Sequence, residues 1–310
     1  MNTVLRTEAA IVKQAKKQKQ KKAITIALFI LPALLVYSVF ILYPIVATFQ
    51  YSLFSWSGGQ GERTFIGLQN YTVLFADQTF WSALQNNMML ILASVFIQIP
   101  LGLLMALVLF SPIKGIKLLN VLYFLPYLMS TVAIGLLWIF MYDPINGPMN
   151  QVVQWFGVEP VAWLADQNTA LIAVLIVIIW QFAPFYMILF KAAMVGIPDE
   201  LYEAAEIDGA NGIQKFFSIT FPALIPTIVT SSILAIVGSL KAFDIFYIMT
   251  GGGPGNATEI VGTYMFKQGF IHFNMGYAST IAAMMFILAF ISVLIIQVFE
   301  YRRKKRGAVL

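Results

Sequence analysis

Six stretches of this chain stay apolar for about 20 residues or more, the length a helix needs to cross a hydrocarbon layer ~30 Å thick. They fall near 24–48, 87–110, 118–142, 169–190, 223–249 and 277–299. In hydrocarbon the backbone must satisfy its own hydrogen bonds, which leaves only helices or closed barrels. Uninterrupted apolar runs of this length, without two-residue alternation, read as helices. The expected fold class is therefore all-α: a polytopic membrane protein with six transmembrane helices. Composition agrees, with 60% hydrophobic and 11% charged residues, where a soluble domain carries about 25% charged. The first stretch exceeds the ~7–15-residue core of a signal peptide and is read as a retained span.

Orientation follows from the basic residues, which favour the cytoplasmic side. Residues 1–22 hold Arg6, Lys13, Lys16, Lys17, Lys19, Lys21 and Lys22, and residues 301–310 hold Arg302, Arg303, Lys304, Lys305 and Arg306. Lys114, Lys117, Lys191 and Lys215 fall on the same face, while Arg63 and Lys267 fall on the other. Both chain ends are therefore expected inside, as a basic segment (1–22) and a basic tail (301–310) flanking a transmembrane domain (23–300). On a membrane protein the excess of +5 reads as a topology signal, not as a nucleic-acid surface.

Between the fourth and fifth stretches lies a polar island, 191–222, with five of the fourteen carboxylates: Asp199, Glu200, Glu203, Glu206 and Asp208. Charge at this density stands in water, here on the cytoplasmic side. Pro198 suits the first turn of a short helix, and Asp199, Glu200 and Glu203 place negative charge near its positive end. Gly209 stops that helix, because glycine accepts the left-handed conformation. Asn211 or Asp208 is positioned to cap a second short helix through Phe217, ahead of Pro222. The island is expected to form a helix–turn–helix across the cytoplasmic ends of spans four and five.

The run Glu203-Ala204-Ala205, then Gly209, then Ile219 and Pro222, resembles the "EAA" loop of ABC-importer permeases. Phe65-Ile66-Gly67-Leu68-Gln69-Asn70-Tyr71 resembles the F-x-G-L-x-N-Y signature in the first outer loop of sugar-importer permeases. Tyr123 to Tyr127 resembles their third span, and Phe243-Asp244 with Met249 to Pro254 resembles the end of their fifth span and its loop. Phe221 departs from the usual Leu, a modest apolar change.

The resemblance covers about residues 24 to 300 and points to the carbohydrate branch, which includes maltose and glycerol-phosphate importers. It implies a non-catalytic subunit of the bacterial cytoplasmic membrane. The cytoplasmic coupling helix, between spans four and five, would engage a separate dimeric ATPase through Glu203, Ala204, Ala205, Asp208, Gly209, Ile219 and Pro222. ATP and Mg would sit on that ATPase, with no cofactor in this chain. A second homologous permease subunit and an extracytoplasmic solute-binding protein complete the implied assembly, which works by alternating access. This chain has no G-x-x-x-x-G-K-[ST] loop of its own.

Charged groups within spans are functional candidates, and Lys241 and Asp244 lie three apart, on one face of an unbroken helix. Sugars offer hydroxyls and apolar faces, so their sites combine a few polar groups with aromatic rings. Trp180, Gln181, Tyr186, Phe243 and Tyr247 are the candidates of that kind. They compete with packing and interface roles, which aromatics in membrane helices commonly have. An ion-coupled secondary transporter or channel would show repeats and buried acids. A membrane enzyme would need a nucleophile–base set or a metal cluster, poorly served by one His and no Cys. A permease for a non-sugar solute, such as a glycerol-phosphate ester, is the nearer alternative. Cysteines introduced singly into 199–211 are expected to escape an impermeant thiol reagent in intact cells and to react once the membrane is opened; labelling in intact cells overturns the topology.

Overall fold

The computed structural model describes residues 18, 19, 21, 22, 25–110 and 114–305. Arg6, Lys13, Lys16, Lys17 and Arg306 lie outside them. The chain is helical, as expected. α1 covers Thr25–Tyr51 and leads into a small antiparallel hairpin, β1 (Phe54–Ser55) with β2 (Thr64–Phe65), in which Phe54 faces Phe65. α2 (Gln69–Ala76) follows, then the long α3 (Gln78–Phe110). α4 (Ile116–Leu128), α5 (Thr131–Met141) and the short α6 (Pro148–Trp155) lead to α7 (Ala170–Val195). After it come α8 (Asp199–Ile207), α9 (Gly212–Lys215), α10 (Phe221–Leu240), α11 (Asp244–Met249), α12 (Val261–Phe266) and α13 (Met275–Lys305).

Among the described residues, five helical runs are long and apolar enough to cross a membrane: α1, α3, α7, the run Gly212–Met249 and α13. The third predicted span is not one straight helix. α4 and α5 meet at 96°, at Met129 and Ser130, whose extended backbone stops α4 just past Pro126. Counting this bent pair as one crossing gives the expected six. The fifth span also differs from expectation. α10 stops at Leu240, and Phe243 adopts φ −152°, ψ −60° before α11 starts. Lys241 and Asp244 therefore do not share the face of one unbroken helix.

α7 is the centre of the bundle, with 56% of its apolar window buried, whereas the corresponding window of α1 is 0% buried. That contrast places α1 at the periphery, with its apolar side chains outward. Val174, Val177 and Ile178 of α7 meet Leu90 of α3, Ile134 of α5 and Phe246 of α11 in one core cluster. Tyr186, Met187 and Phe190, further along α7, meet Ile99 and Ala106 of α3 and Leu224 of α10 in another. At Gly102 the α3 backbone comes so close to α7 that an added Cβ would stand 2.7 Å from Tyr186 Cβ and 2.9 Å from the Ala183 carbonyl. Small residues permit such crossings in membranes, where close van der Waals contact supplies the attraction.

The polar ends are held by named side chains. Asn70 donates to the Ser52 carbonyl at 2.9 Å and the Phe54 carbonyl at 3.0 Å, and Tyr71 bonds Ser52 Oγ at 2.8 Å. The F-x-G-L-x-N-Y residues thus fasten the hairpin to the end of α1. Glu259, 1% exposed in its side chain, is paired with Lys267. Asp77 caps α3 through the backbone N–H of Thr79 and accepts from the hydroxyls of Tyr264 and Tyr277, tying α3 to α12 and α13. The apolar stretch of α3 begins near residue 87, about 15 Å along the helix from Asp77 at 1.5 Å per residue, which puts Asp77 outside the predicted span.

Burial alone would raise the Asp77 carboxyl, but its bonds from Tyr264, Tyr277, Thr79 and Phe80 outweigh that, and it titrates below its ordinary 3.8. A depressed folded value means the stabilisation is present above the ordinary value and lost as pH falls through the folded one. In the solubilised protein, Asp77→Asn is expected to lower neutral-pH stability by on the order of 1 kcal/mol and to flatten part of the loss of thermal stability below about pH 4; an unchanged acid profile would overturn this assignment.

Candidate functional site

The polar island begins later than its composition suggested. Lys191 to Val195 still belong to α7, where Lys191 bonds Asn120 Oδ1 of α4 at 2.7 Å. Pro198 is the N-cap of α8 and not its first helical residue; Asp199 and Glu200 form the first turn. Gly209 ends the helix at φ +74°, with open space where a Cβ would be. The second helix of the expected pair is not free-standing. Asn211 and Gln214 make a reciprocal capping box at its start, and after α9 the chain passes through a π-helical turn, Phe216–Thr220, directly into α10. Ile219 is in that turn, and Pro222 lies in the first turn of α10.

α8 is fastened to this rod at two places. Tyr202 and Thr220 share a hydroxyl–hydroxyl bond of 2.9 Å, and Lys215 reaches Glu206 at 2.6 Å. The Lys215 hydrogen bond and charge hold the Glu206 carboxyl below its usual range. An exposed pair of this kind adds little stability; its effect is to orient. Glu203, Ala204, Asp208 and Gly209 are exposed and Ala205 is half-covered. Beside them Leu201 is 50% exposed, Ile207 87% and Ile213 71%. The acidic residues thus stand among uncovered apolar side chains.

The other end of α10 closes on a cavity of about 390 Å³. Of the predicted pathway residues, Tyr186, Lys241, Phe243 and Asp244 line it; Trp180, Gln181 and Tyr247 do not. Trp180 instead meets Trp138 edge to face at 5.5 Å. Tyr247 stacks on Phe243 at 5.1 Å, one turn beyond the wall. Gln181 is buried, with its amide 3.4 Å from Thr131 Oγ1. Sequence reasoning missed Ser94, Gln98, Thr131 and Ser239, which also line the cavity. Ser94 and Gln98 carried a readable signal: polar residues four apart within an apolar stretch.

A buried amide holds the broken span in place. Asn87, 0% exposed, donates to the Ser239 carbonyl near the end of α10 and accepts from the Val261 N–H at the start of α12, both at 2.8 Å. Its neighbour Asn86 donates to the carbonyls of Ala257 and Glu259 at 3.1 and 2.8 Å. α3 thereby secures both the break beside Lys241 and the glycine-rich loop after α11.

The described residues thus combine a bent and a broken span around a polar–aromatic cavity with an exposed acidic helix on the cavity-forming rod. Residues 98–305 match the model of the family described as "Binding-protein-dependent transport system inner membrane component", and the chain belongs to that family. It is 40% identical over 265 residues to the probable ABC transporter permease protein YurN of Bacillus subtilis, covering 84% of this chain and 90% of that protein. It is 34% identical over 288 residues to the trehalose/maltose transport system permease protein MalF of Thermococcus litoralis, covering 93% and 97%. A crystal structure of a bacterial ABC transporter importing the acidic polysaccharide alginate contains a chain of the same fold (TM-score 0.81, 23% identity, covering 92% of this chain and 98% of that one).

Family membership makes this chain a multi-pass, non-catalytic component of the cytoplasmic membrane. The secondary-transporter and membrane-enzyme readings give way to it. If the one acid on the cavity wall contacts solute, Asp244→Asn lowers uptake by the assembled transporter roughly tenfold, the scale of one lost charge-assisted hydrogen bond, and leaves ATPase attachment intact. Unchanged uptake kinetics would remove Asp244 from the pathway.

Proposed function

We infer that this chain forms half of the translocation pathway of an ATP-driven importer of sugars or oligosaccharides, working by alternating access. The observation that carries this reading is the continuity of the capped turn α9 and the 20-residue α10. One end of that rod is tied to exposed α8, and the other reaches the cavity wall through Ala235, Gly238 and Ser239. A displacement of α8 is thus delivered to the cavity about 30 Å away, the length of α10 at 1.5 Å per residue.

In this reading α8 is cytoplasmic, as are both chain ends. Glu203, Ala204, Ala205, Asp208 and Gly209 meet a cleft of one subunit of an ATPase dimer, whose ATP and Mg lie outside this chain. Ile219 and Pro222 hold the joint with α10. The carboxylates offer charge-assisted bonds to basic groups of that partner, and Leu201, Ile207 and Ile213 supply the apolar contact. A second homologous permease faces the cavity from the other side, and an extracytoplasmic binding protein delivers the solute. The carbohydrate assignment rests on the trehalose/maltose relative and on a cavity of hydroxyls, one amide and aromatic rings, with one Lys and one Asp among its described residues. A glycerol-phosphate ester would call for more positive charge than that.

Gly209→Val puts a β-branched residue at positive φ, at a cost of roughly 1–2 kcal/mol, and reshapes the end of α8. The complex carrying it is expected to assemble, to bind solute-loaded binding protein, and to lose most substrate-stimulated ATPase and uptake. Wild-type values of both overturn the coupling assignment. Uptake of a glycerol-phosphate ester in place of any sugar by the wild-type complex overturns the solute class alone.

A further inference from the structure

Among the described residues, the cavity wall includes one buried side-chain polar atom without a hydrogen-bond partner. Gln98 is 3% exposed, lines the cavity, and its Oε1 has no hydrogen-bond partner within the described residues. Buried amides are normally satisfied, and each exception calls for an explanation. The neighbouring polar groups show the contrast. Asn87 is fully engaged at Ser239 and Val261, and Ser94 accepts from Ser239 Oγ at 3.3 Å.

Gln98 also ends a π-helical turn, Ser94–Gln98, inside α3. Such turns cost hydrogen-bond geometry and concentrate at functional sites. Here the turn sets Ser94 and Gln98 on the cavity side, while Gly102, four residues on, still meets Tyr186 of α7. α3 therefore keeps its close crossing with α7 and carries an unpaired amide oxygen just before it.

We propose that Gln98 is a solute-binding residue, which hydrogen-bonds a hydroxyl of the passing carbohydrate. A carboxamide both accepts and donates, as a sugar hydroxyl does. It carries no charge, so it suits a neutral polyhydroxylated solute better than an anion, for which an Arg or Lys is the stronger partner. The stacked rings of Tyr127 and Phe185, 5.6 Å apart, belong to the same wall and offer an apolar surface to the C–H face of the ring. The proposal rests on the carbohydrate reading above and adds to it the residue that selects for hydroxyls.

The test uses the complete complex of permeases, ATPase and binding protein in proteoliposomes, with radiolabelled maltose, trehalose and sucrose as probes. Initial uptake is measured against sugar concentration, and the melting temperature of each complex is measured beside it. Gln98→Leu, close in volume and without the amide, is expected to lower uptake of the transported sugar at least tenfold with a melting temperature equal to or above that of the wild type. Gln98→Asn, which keeps a shortened amide, is expected to fall between the two. A structural role predicts the opposite pairing, in which uptake and melting temperature fall together in Gln98→Leu; that result overturns the proposal, as does Gln98→Leu uptake within twofold of wild type. A wild-type complex that transports none of the three sugars but does transport a non-carbohydrate overturns the carbohydrate reading itself, and the wild-type control alone separates that failure from a failure at Gln98.

Discussion

A helix broken inside a membrane leaves backbone groups that hydrocarbon cannot satisfy, and in this protein one amide answers that problem. Asn87 takes the Ser239 carbonyl and the Val261 N–H together. The Ser239 carbonyl also accepts from the Ala242 N–H, but without Asn87 the buried Val261 N–H would lose its partner where α10, α12 and α3 meet, at a cost of about 1–3 kcal/mol. With it, the chain turns out of its helix at Phe243, Asp244 begins a new one, and the space beside them becomes the cavity. Gly262 completes the arrangement, since a Cβ there would stand 2.6 Å from the Ala242 carbonyl. The cavity wall is thus a consequence of a defect made tolerable by a neighbouring helix.

The same span carries the proposed stroke. Its water-facing end is organised by short-range polar contacts: the capping box at Asn211, the Tyr202–Thr220 bond and the Lys215–Glu206 pair. None of these is strong alone, and exposed ion pairs rarely are. Together they fix the angle at which α8 leaves the rod. α10 runs as one helix from Phe221 to Leu240 with Pro226 inside it, and the break beyond Leu240 lies at the far end, beside the cavity.

The sequence was informative about whatever depends on long runs and on glycine. Apolar length alone indicated the spans, and the order of Asp199, Glu200 and Gly209 indicated a short acidic helix with a left-handed stop. It was silent about breaks. Residues 118–142 read as one span because Met129 and Ser130 carry no strong breaking signal; the bend arises as the extended backbone there redirects the chain. Lys241 and Asp244 read as one helical face because the chain between Leu240 and Phe243 looks helical, and the capping amide that permits the break is some 150 residues away in sequence. Trp180 and Tyr247 illustrate the general difficulty with aromatics in lipid: their composition suits a sugar site, and their actual neighbours are other rings. Asn87 and Gln98 were visible as polar residues, but only the fold separates the satisfied one from the unsatisfied one.

The contact at Gly102 has a mechanical corollary. At that point the α3 backbone lies directly against Ala183 and Tyr186, with no side chain between them. Under the proposed alternating access the pair would act as a single keel, about which the remaining spans swing. The pivot then belongs at the irregular joints, Met129–Ser130 and Lys241–Phe243, where the backbone has already left its helix.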